Sequence, residues 1–413
     1  MNQRTARSLN ILHVGKYFSP FRGGLENYLR DLMVALARRG TASTALVHRH
    51  DWSFCTRQDS VSLDGREFRV VRTGTWAKLL FTPLSPAFPW HLRRLIGAGK
   101  PDILHLHMPN PSVFWALLLP SARRVPWVVH WHADVISDTQ GRLMKLAYAV
   151  YRPFERAVLR RARAIIVTSV PYRDSSQPLR PWLSKCRVVP LGLDVGRLPV
   201  QAQAEPAAKG SPENQTLPFL KVLAVGRLTY YKGFQYLIEA LARLDNVQLE
   251  LVGEGDRAGE LRNQVASLGL QDRVHFHGTA DDRELARQLA RCDCLCLPSM
   301  ERTEAFGMVL LEAMYFGKAT VVSDVPGSGM GWIVEHGVTG LKVKPADPAA
   351  LAEALGSLVA DRELLREMGR AGREKFERMF EINHAIGGIL DTYRVVLGDP
   401  QAGRSISRND GRA

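Results

Sequence analysis

The chain has 413 residues, 46% hydrophobic and 23% charged, which suits two domains of ordinary soluble composition and excludes a low-complexity chain. No apolar run approaches the roughly 20 residues of a membrane-spanning helix, and the start (Asn2, Gln3, Arg4, Arg7) leads straight into a strand-like stretch, so the expectation is a cytoplasmic protein without a secretory leader. The net charge of +14 is uneven: residues 1–200 carry +18 and the remainder −4, which points to an anionic partner for the first half alone and, without a recognition motif, not to nucleic acid.

The first half repeats a strand, loop and helix rhythm. Ile11–Gly15 reads as a strand, Phe18–Gly24 as a loop, and Leu25–Arg39 as an amphipathic helix ended by Gly40. Further strands are expected at Ala45–Val47, Phe68–Val71, Ile103–Leu106, Trp127–His130 and Ala164–Thr168, with a long helix at Met144–Arg163. Strands alternating with helices mean a parallel, doubly wound sheet, whose ligands gather beyond the carboxyl ends of the strands. Gly23-Gly24, His105, His107, His130, His132 and Asp134 sit at such ends. His130 and His132 suggest a metal pair, but no third ligand has convincing spacing. Basic residues alternate with aromatic and aliphatic ones at Trp76–Phe81, Phe88–Leu95 and Arg142–Tyr148, a pattern suited to an anionic membrane surface.

Between Pro199 and Pro218 the chain is polar, proline-rich and aperiodic, which reads as an inter-domain linker. The rhythm then resumes, with strands at Lys221–Val225, Gln248–Val252, Val274–His277, Thr320–Ser323 and Gly340–Val343. Helices are expected at Phe234–Leu244, Arg257–Leu268, Arg283–Ala290, Pro348–Ala360, Glu363–Phe380 and Asn383–Leu397. The tail from Asp399, with its Gly, Ser, Arg, Asn and Asp, reads as disordered. Cys292, Cys294 and Cys296 alternate along one strand-like segment and, with no C-x-x-C or nearby histidine, read as small buried hydrophobes. Five cysteines in all suit a reducing compartment.

Two stretches of the second half carry charge chemistry. Gly226-Arg-Leu-Thr-Tyr-Tyr-Lys-Gly233 follows a strand, so Arg227 and Lys232 bracket a turn and can converge on one anion. Pro298–Met314 reads as strand end, loop and helix. Glu304 lies in the loop, Glu312 on the helix, and the amides of Phe306, Gly307, Met308 and Val309 at the positive helix end. An anion held between two carboxylates is odd for a purely structural turn; a sugar nucleotide fits it, with diphosphate on the amides and hydroxyls on the glutamates. Helix-start carboxylates also occur as simple dipole partners.

Glu304-x7-Glu312 with its Ala-Phe-Gly, and the Arg227-x4-Lys232 pair, resemble the signature of the retaining glycosyltransferases of family 4; the likeness runs from about residue 9 to about residue 395. The resemblance implies an α/β chain of the GT-B fold: two doubly wound, Rossmann-like domains facing a central cleft. The domains would be 1–198 and 219–382, with 199–218 as linker, 383–397 as a helix crossing back to the first domain, and 399–413 as a disordered tail. It also implies Glu304, His132, Arg227 and Lys232 as catalytic residues. Gly24, Gly226, Glu312 and the Phe306–Val309 amides would serve the donor, and His107, Asn110 and Asp134 the acceptor. Loops such as Val252–Asp256 and His277-Gly278 would enclose the base. The implied reaction needs no metal, there being no Asp-x-Asp motif. His105-Leu-His-Met-Pro-Asn-Pro111 and Tyr230-Tyr-Lys-Gly233 look most like bacterial mannosyl- and rhamnosyltransferases of O-antigen and exopolysaccharide assembly. That implies a GDP-sugar donor, a polyprenyl-diphosphate-linked glycan acceptor and peripheral attachment to the inner membrane. The alternatives are a UDP-sugar donor or a nucleotide-sugar-binding protein without activity.

Overall fold

The computed structural model describes residues 8–21, 23–79, 82–135, 141–198 and 219–399. The expected linker 199–218 and the tail beyond Asp399 lie outside them. The chain forms two compact units. One runs through Pro190 and regains the chain from Ile382, and the other is Leu191–Glu381.

The first unit holds β1 (Asn10–Val14), β2 (Ala42–Trp52), β3 (Arg57–Leu63), β4 (Arg66–Thr75), β5 (Ala77–Leu79), β6 (Thr82–Leu84), β7 (Ile103–Met108), β8 (Trp127–Trp131), β9 (Ala164–Val167) and β10 (Cys186–Val188). Eight of these make one sheet in the order β10-β9-β8-β7-β1-β2-β4-β3. All neighbours are parallel except the β3–β4 pair. The central strands are covered on both faces, hence their near-continuous apolar runs. The edge strand β3, Arg-Gln-Asp-Ser-Val-Ser-Leu, is half exposed and too polar to read as core; it and the β5–β6 hairpin were not among the strands expected from the sequence. The helix Ile382–Leu397 buries Ile386, Ile389 and Tyr393 in this unit, and the guanidinium of Arg163 donates to its Val396 carbonyl at 3.0 Å.

The second unit contains β11 (Leu220–Val225), β12 (Val247–Val252), β13 (Val274–Gly278), β14 (Cys294–Leu297), β15 (Ala319–Ser323) and β16 (Gly340–Val343). They form an all-parallel sheet in the order β13-β12-β11-β14-β15-β16. Cys294 and Cys296 sit in the apolar core beside Val222 and Leu249, and burial pushes the neighbouring Cys292 thiol up to about 12. Leu191–Leu198 packs here, ahead of the 199–218 segment, because the Leu193 amide donates to the Phe380 carbonyl at 2.9 Å. In both sheets the strand order reverses beside the first strand, between β1 and β7 and between β11 and β14. The crevice at the carboxyl ends of such a pair is where open α/β sheets bind ligands.

Candidate active site

In the second unit, the loops after β11 and β14 meet at that crevice. Gly233 joins them. Its φ of +72° suits glycine, and a Cβ there would lie 2.1 Å from the Pro298 carbonyl oxygen. The Met300 amide donates to the Tyr231 carbonyl at 2.8 Å, tying one loop to the other. This seam brings Lys232 and Glu304, 72 residues apart, into a nearly buried ion pair between Nζ and Oε2. Burial works against the Lys232 ammonium, but the Glu304 carboxylate outweighs it, so its pKa stands above that of an ordinary lysine. Ser299 donates to the same carboxylate oxygen at 3.4 Å, and the Ser328 hydroxyl holds the Glu304 carbonyl at 2.5 Å. Arg227 is exposed on the first loop, close enough for its charge to act on Lys232 and Tyr231.

The helix after the second loop is Met308–Tyr315, with Gly307 as its N-cap at φ +89°. The first backbone bond of that turn runs from the Leu310 amide to the Gly307 carbonyl, so the amides of Phe306 through Val309 precede the helical ladder, as an anion site requires. Burial on this helix is wider than one face: Leu310 through Tyr315 are all buried, Glu312 included. Glu312 Oε1 pairs with the nearly buried side chain of Arg197, whose other terminal nitrogen binds Asp282 at 2.9 Å. Burial raises the Glu312 pKa and Arg197 opposes it, with a net rise. Arg197 was not among the expected site residues. It lies 115 residues from its partner, and nothing local marks it.

In the first unit, Gly24 opens the helix Gly24–Arg38 after β1, and the side chain of Glu26 folds back onto Gly23. His132 follows β8, its amide held by the Met108 carbonyl at 2.9 Å. Asp134 Oδ1 accepts from the Trp131 indole at 2.9 Å and the Ser176 hydroxyl at 2.7 Å, so it anchors its loop. Asn110 is buried; its Oδ1 caps the turn at the Ser112 amide and its Nδ2 has no protein partner. His107 was expected on the acceptor side, but both its ring nitrogens are engaged, by His13 and His132. His13, His105 and His130 join them, all five buried. The sequence shows these histidines but not that they share one face. Parallel pairing decides it, placing His13 beside His105 and His107 beside His130.

Two Rossmann-like units, with a cation pair, a carboxylate and a helix start at a switch point, define a nucleotide-sugar enzyme of the GT-B class. The family model described as "Glycosyl transferase 4-like domain" matches residues 23–192, and "Glycosyl transferases group 1" matches residues 208–375. The chain is 29% identical over 391 residues to the O-antigen chain mannosyltransferase C of Escherichia coli, covering 94% of this chain and 99% of that one. It is 34% identical over 284 residues to the D-rhamnosyltransferase WbpZ of Pseudomonas aeruginosa, covering 68% and 71%. Its fold matches the sucrose-phosphate synthase of Thermosynechococcus elongatus at a TM-score of 0.74 and 25% identity, over 94% of this chain and 99% of that one. The chain belongs to the family 4 glycosyltransferases.

Proposed function

We propose that this glycosyltransferase moves a mannose- or D-rhamnose-type hexose from a GDP-sugar to a polyprenyl-diphosphate-linked glycan, with retention and without a metal. The observation that carries the reading is the seam at the β11–β14 switch point, where Arg227, Lys232, Glu304 and the helix-start amides gather. Arg227 and Lys232 face the charge that builds on the departing diphosphate, a role a metal plays elsewhere. Glu304 and Glu312 take sugar and ribose hydroxyls, Gly24 and Gly226 let backbone approach the diphosphate, and His132 sits by the reacting centre. Asn110 and Asp134 lie on the acceptor side. The acceptor hydroxyl attacks the anomeric carbon on the face the phosphate leaves. The C–O bond to the diphosphate breaks, and the departing phosphate oxygen takes the hydroxyl proton. The kinship with O-antigen mannosyl- and rhamnosyltransferases supports the donor and acceptor.

Calorimetric titration with GDP, UDP and ADP in EDTA tests the donor. Selective GDP binding is expected; a preference for UDP overturns the donor, and binding that appears only with added magnesium overturns the metal-free reading.

We also propose that the basic first unit works on an anionic membrane surface. Trp52, Phe54, Trp76, Leu84 and Trp90 are exposed, Lys78 lies over the Trp52 ring at 5.5 Å, and Arg94 over Trp90 at 5.4 Å. Leu146, Val150 and Phe154 form an exposed stripe on the helix Gly141–Arg161. Among the described residues no helix is long and apolar enough to cross a membrane. Each cation near such a surface is worth about 1 kcal/mol. Replacing Lys78, Arg93 and Arg94 by glutamine should therefore weaken binding to phosphatidylglycerol vesicles roughly a hundredfold. Unaltered partitioning discards this surface.

A further inference from the structure

Five of the buried histidines of the first unit form two hydrogen-bonded rows. His13 Nδ1 meets His107 Nε2 at 3.2 Å, and His107 Nδ1 meets His132 Nε2 at 2.9 Å. The second row runs from the Tyr393 hydroxyl to His105 Nδ1 at 2.5 Å and from His105 Nε2 to His130 Nδ1 at 3.2 Å. The rows lie against each other. His130 and His132 stack at 4.2 Å and 11°, and His105 and His107 at 4.6 Å and 6°. Tyr28 closes one side edge-on, 5.4 Å from His130 and 6.0 Å from His132.

Within the first row the rings meet edge to edge. His107 and His132 are 7° from parallel with centroids 5.2 Å apart and nitrogens 2.9 Å apart, which is the geometry of an N–H···N bond. A metal ion between those nitrogens, with bonds of roughly 2.0–2.1 Å, would need about 4 Å along that line. The nitrogens of His13, His105 and His107, and of His107, His130 and His132, lie within 4.8 Å of one another, but the edge-on pairing favours a shared proton over an ion.

A neutral imidazole has one N–H and one lone pair, so a row of three can run in only two ways. Either every ring carries its proton on Nδ1, and His132 ends the row as a donor, or every ring carries it on Nε2, and His132 ends as an acceptor. The three rings change together. The end atoms, His13 Nε2 and His132 Nδ1, have no protein partner. Either arrangement leaves one buried N–H without a protein partner, at His13 Nε2 or at His132 Nδ1, which proteins avoid more strictly than an idle lone pair, so the row needs an outside acceptor at one end. His13 lies within β1, whereas His132 follows the carboxyl end of β8, where open α/β sheets bind ligands; protons on Nδ1 put the N–H at that end, where a substrate oxygen can accept it.

We propose that His13 and His107 are positioning residues that fix the tautomer of His132, so that its Nδ1–H donates to a substrate oxygen. This rests on the proposed place of His132 at the reacting centre. Burial keeps all five imidazoles well below the usual histidine range, consistent with neutral rings.

The test is a long-range 1H–15N spectrum of the full-length protein with 15N-labelled histidine, His132 being assigned by the signal lost in His132→Gln. The expected result is protonated Nδ1 and bare Nε2 at His132 in the unmodified protein. His107→Phe should mix or reverse that pattern and lower kcat roughly ten- to a hundredfold with little change in donor KM. His107→Gln, whose amide can donate to His132 and accept from His13, should recover part of both. A protonated Nε2 at His132 in the unmodified protein overturns the proposal without any variant, as does a tautomer that His107→Phe leaves unmoved. One equivalent of retained transition metal with all five signals displaced would replace the rows by a metal centre. Normal transfer by His132→Gln would instead refute the place given to His132, while the tautomer measurement would still judge the row.

Discussion

Replacing Glu304 by glutamine is expected to lower kcat about 10²- to 10³-fold, the scale of losing one preorganised electrostatic group, with GDP affinity changed only a few-fold. The carboxylate is held by Lys232 and Ser299 on a seam that Gly233 and the Ser328 hydroxyl fix in place. In the proposed mechanism its charge, so held, would cost little reorganisation as the sugar it binds gains positive character at the anomeric carbon. Glutamine keeps the shape and one acceptor oxygen. Alanine is the harsher change, because it strands the nearly buried Lys232 ammonium, and removing one partner of such a pair costs about 3–5 kcal/mol. The glutamine variant, which keeps a hydrogen-bond acceptor for Lys232 but not the countercharge, should lose less stability than Glu304→Ala, which loses both along with activity. Normal turnover by Glu304→Gln, measured with the donor that binds best, would remove the carboxylate from the mechanism.

Acid should unfold the first unit at a pH where most folded proteins are still stable. Burial lowers the pKa values of His13, His105, His130 and His132 well below normal, and those of His48 and His107 to about 3. The unfolded chain protonates each near pH 6.5. Below that pH the unfolded state binds more protons, so this stability is fully present above about pH 6.5 and is lost as the pH falls. From pH 7 to 5.5 the loss is roughly 1 kcal/mol per histidine, several in sum, against a total of about 5–15 kcal/mol. Glu155 acts oppositely: burial raises its pKa to about 7, so its contribution is present at low pH and fades as the pH rises through 7. One carboxyl does not cancel six imidazoles. Urea midpoints at pH 7.5 and 5.5, followed by circular dichroism, should fall sharply in acid. An unchanged or higher midpoint at pH 5.5 would show that the histidines are not buried neutral.

Much of the candidate site was legible because its signals are local. Gly226–Gly233 and Pro298–Met314 each place charge, glycine and helix start within one turn, and such spacing follows from backbone geometry alone. The strands flanking them were legible too, since buried parallel strands are nearly continuous apolar runs. The edge strand Arg57–Leu63 was not, because only Val61 and Leu63 pack partly against the core and the rest of the run is polar, which looks like loop.

The sequence by itself determined two α/β units, their family and the loops that carry Arg227, Lys232, Glu304 and Glu312. Only the tertiary structure decided which distant groups meet. Arg197 reaches Glu312, Lys232 reaches Glu304, and Tyr393, from the last helix, reaches His105. It also decided that His107 joins two histidines and has no free nitrogen. The physical reason is that strand spacing shows which residues of one strand share a face, but strand order and register choose the neighbours on that face, and both are set by packing of the whole sheet.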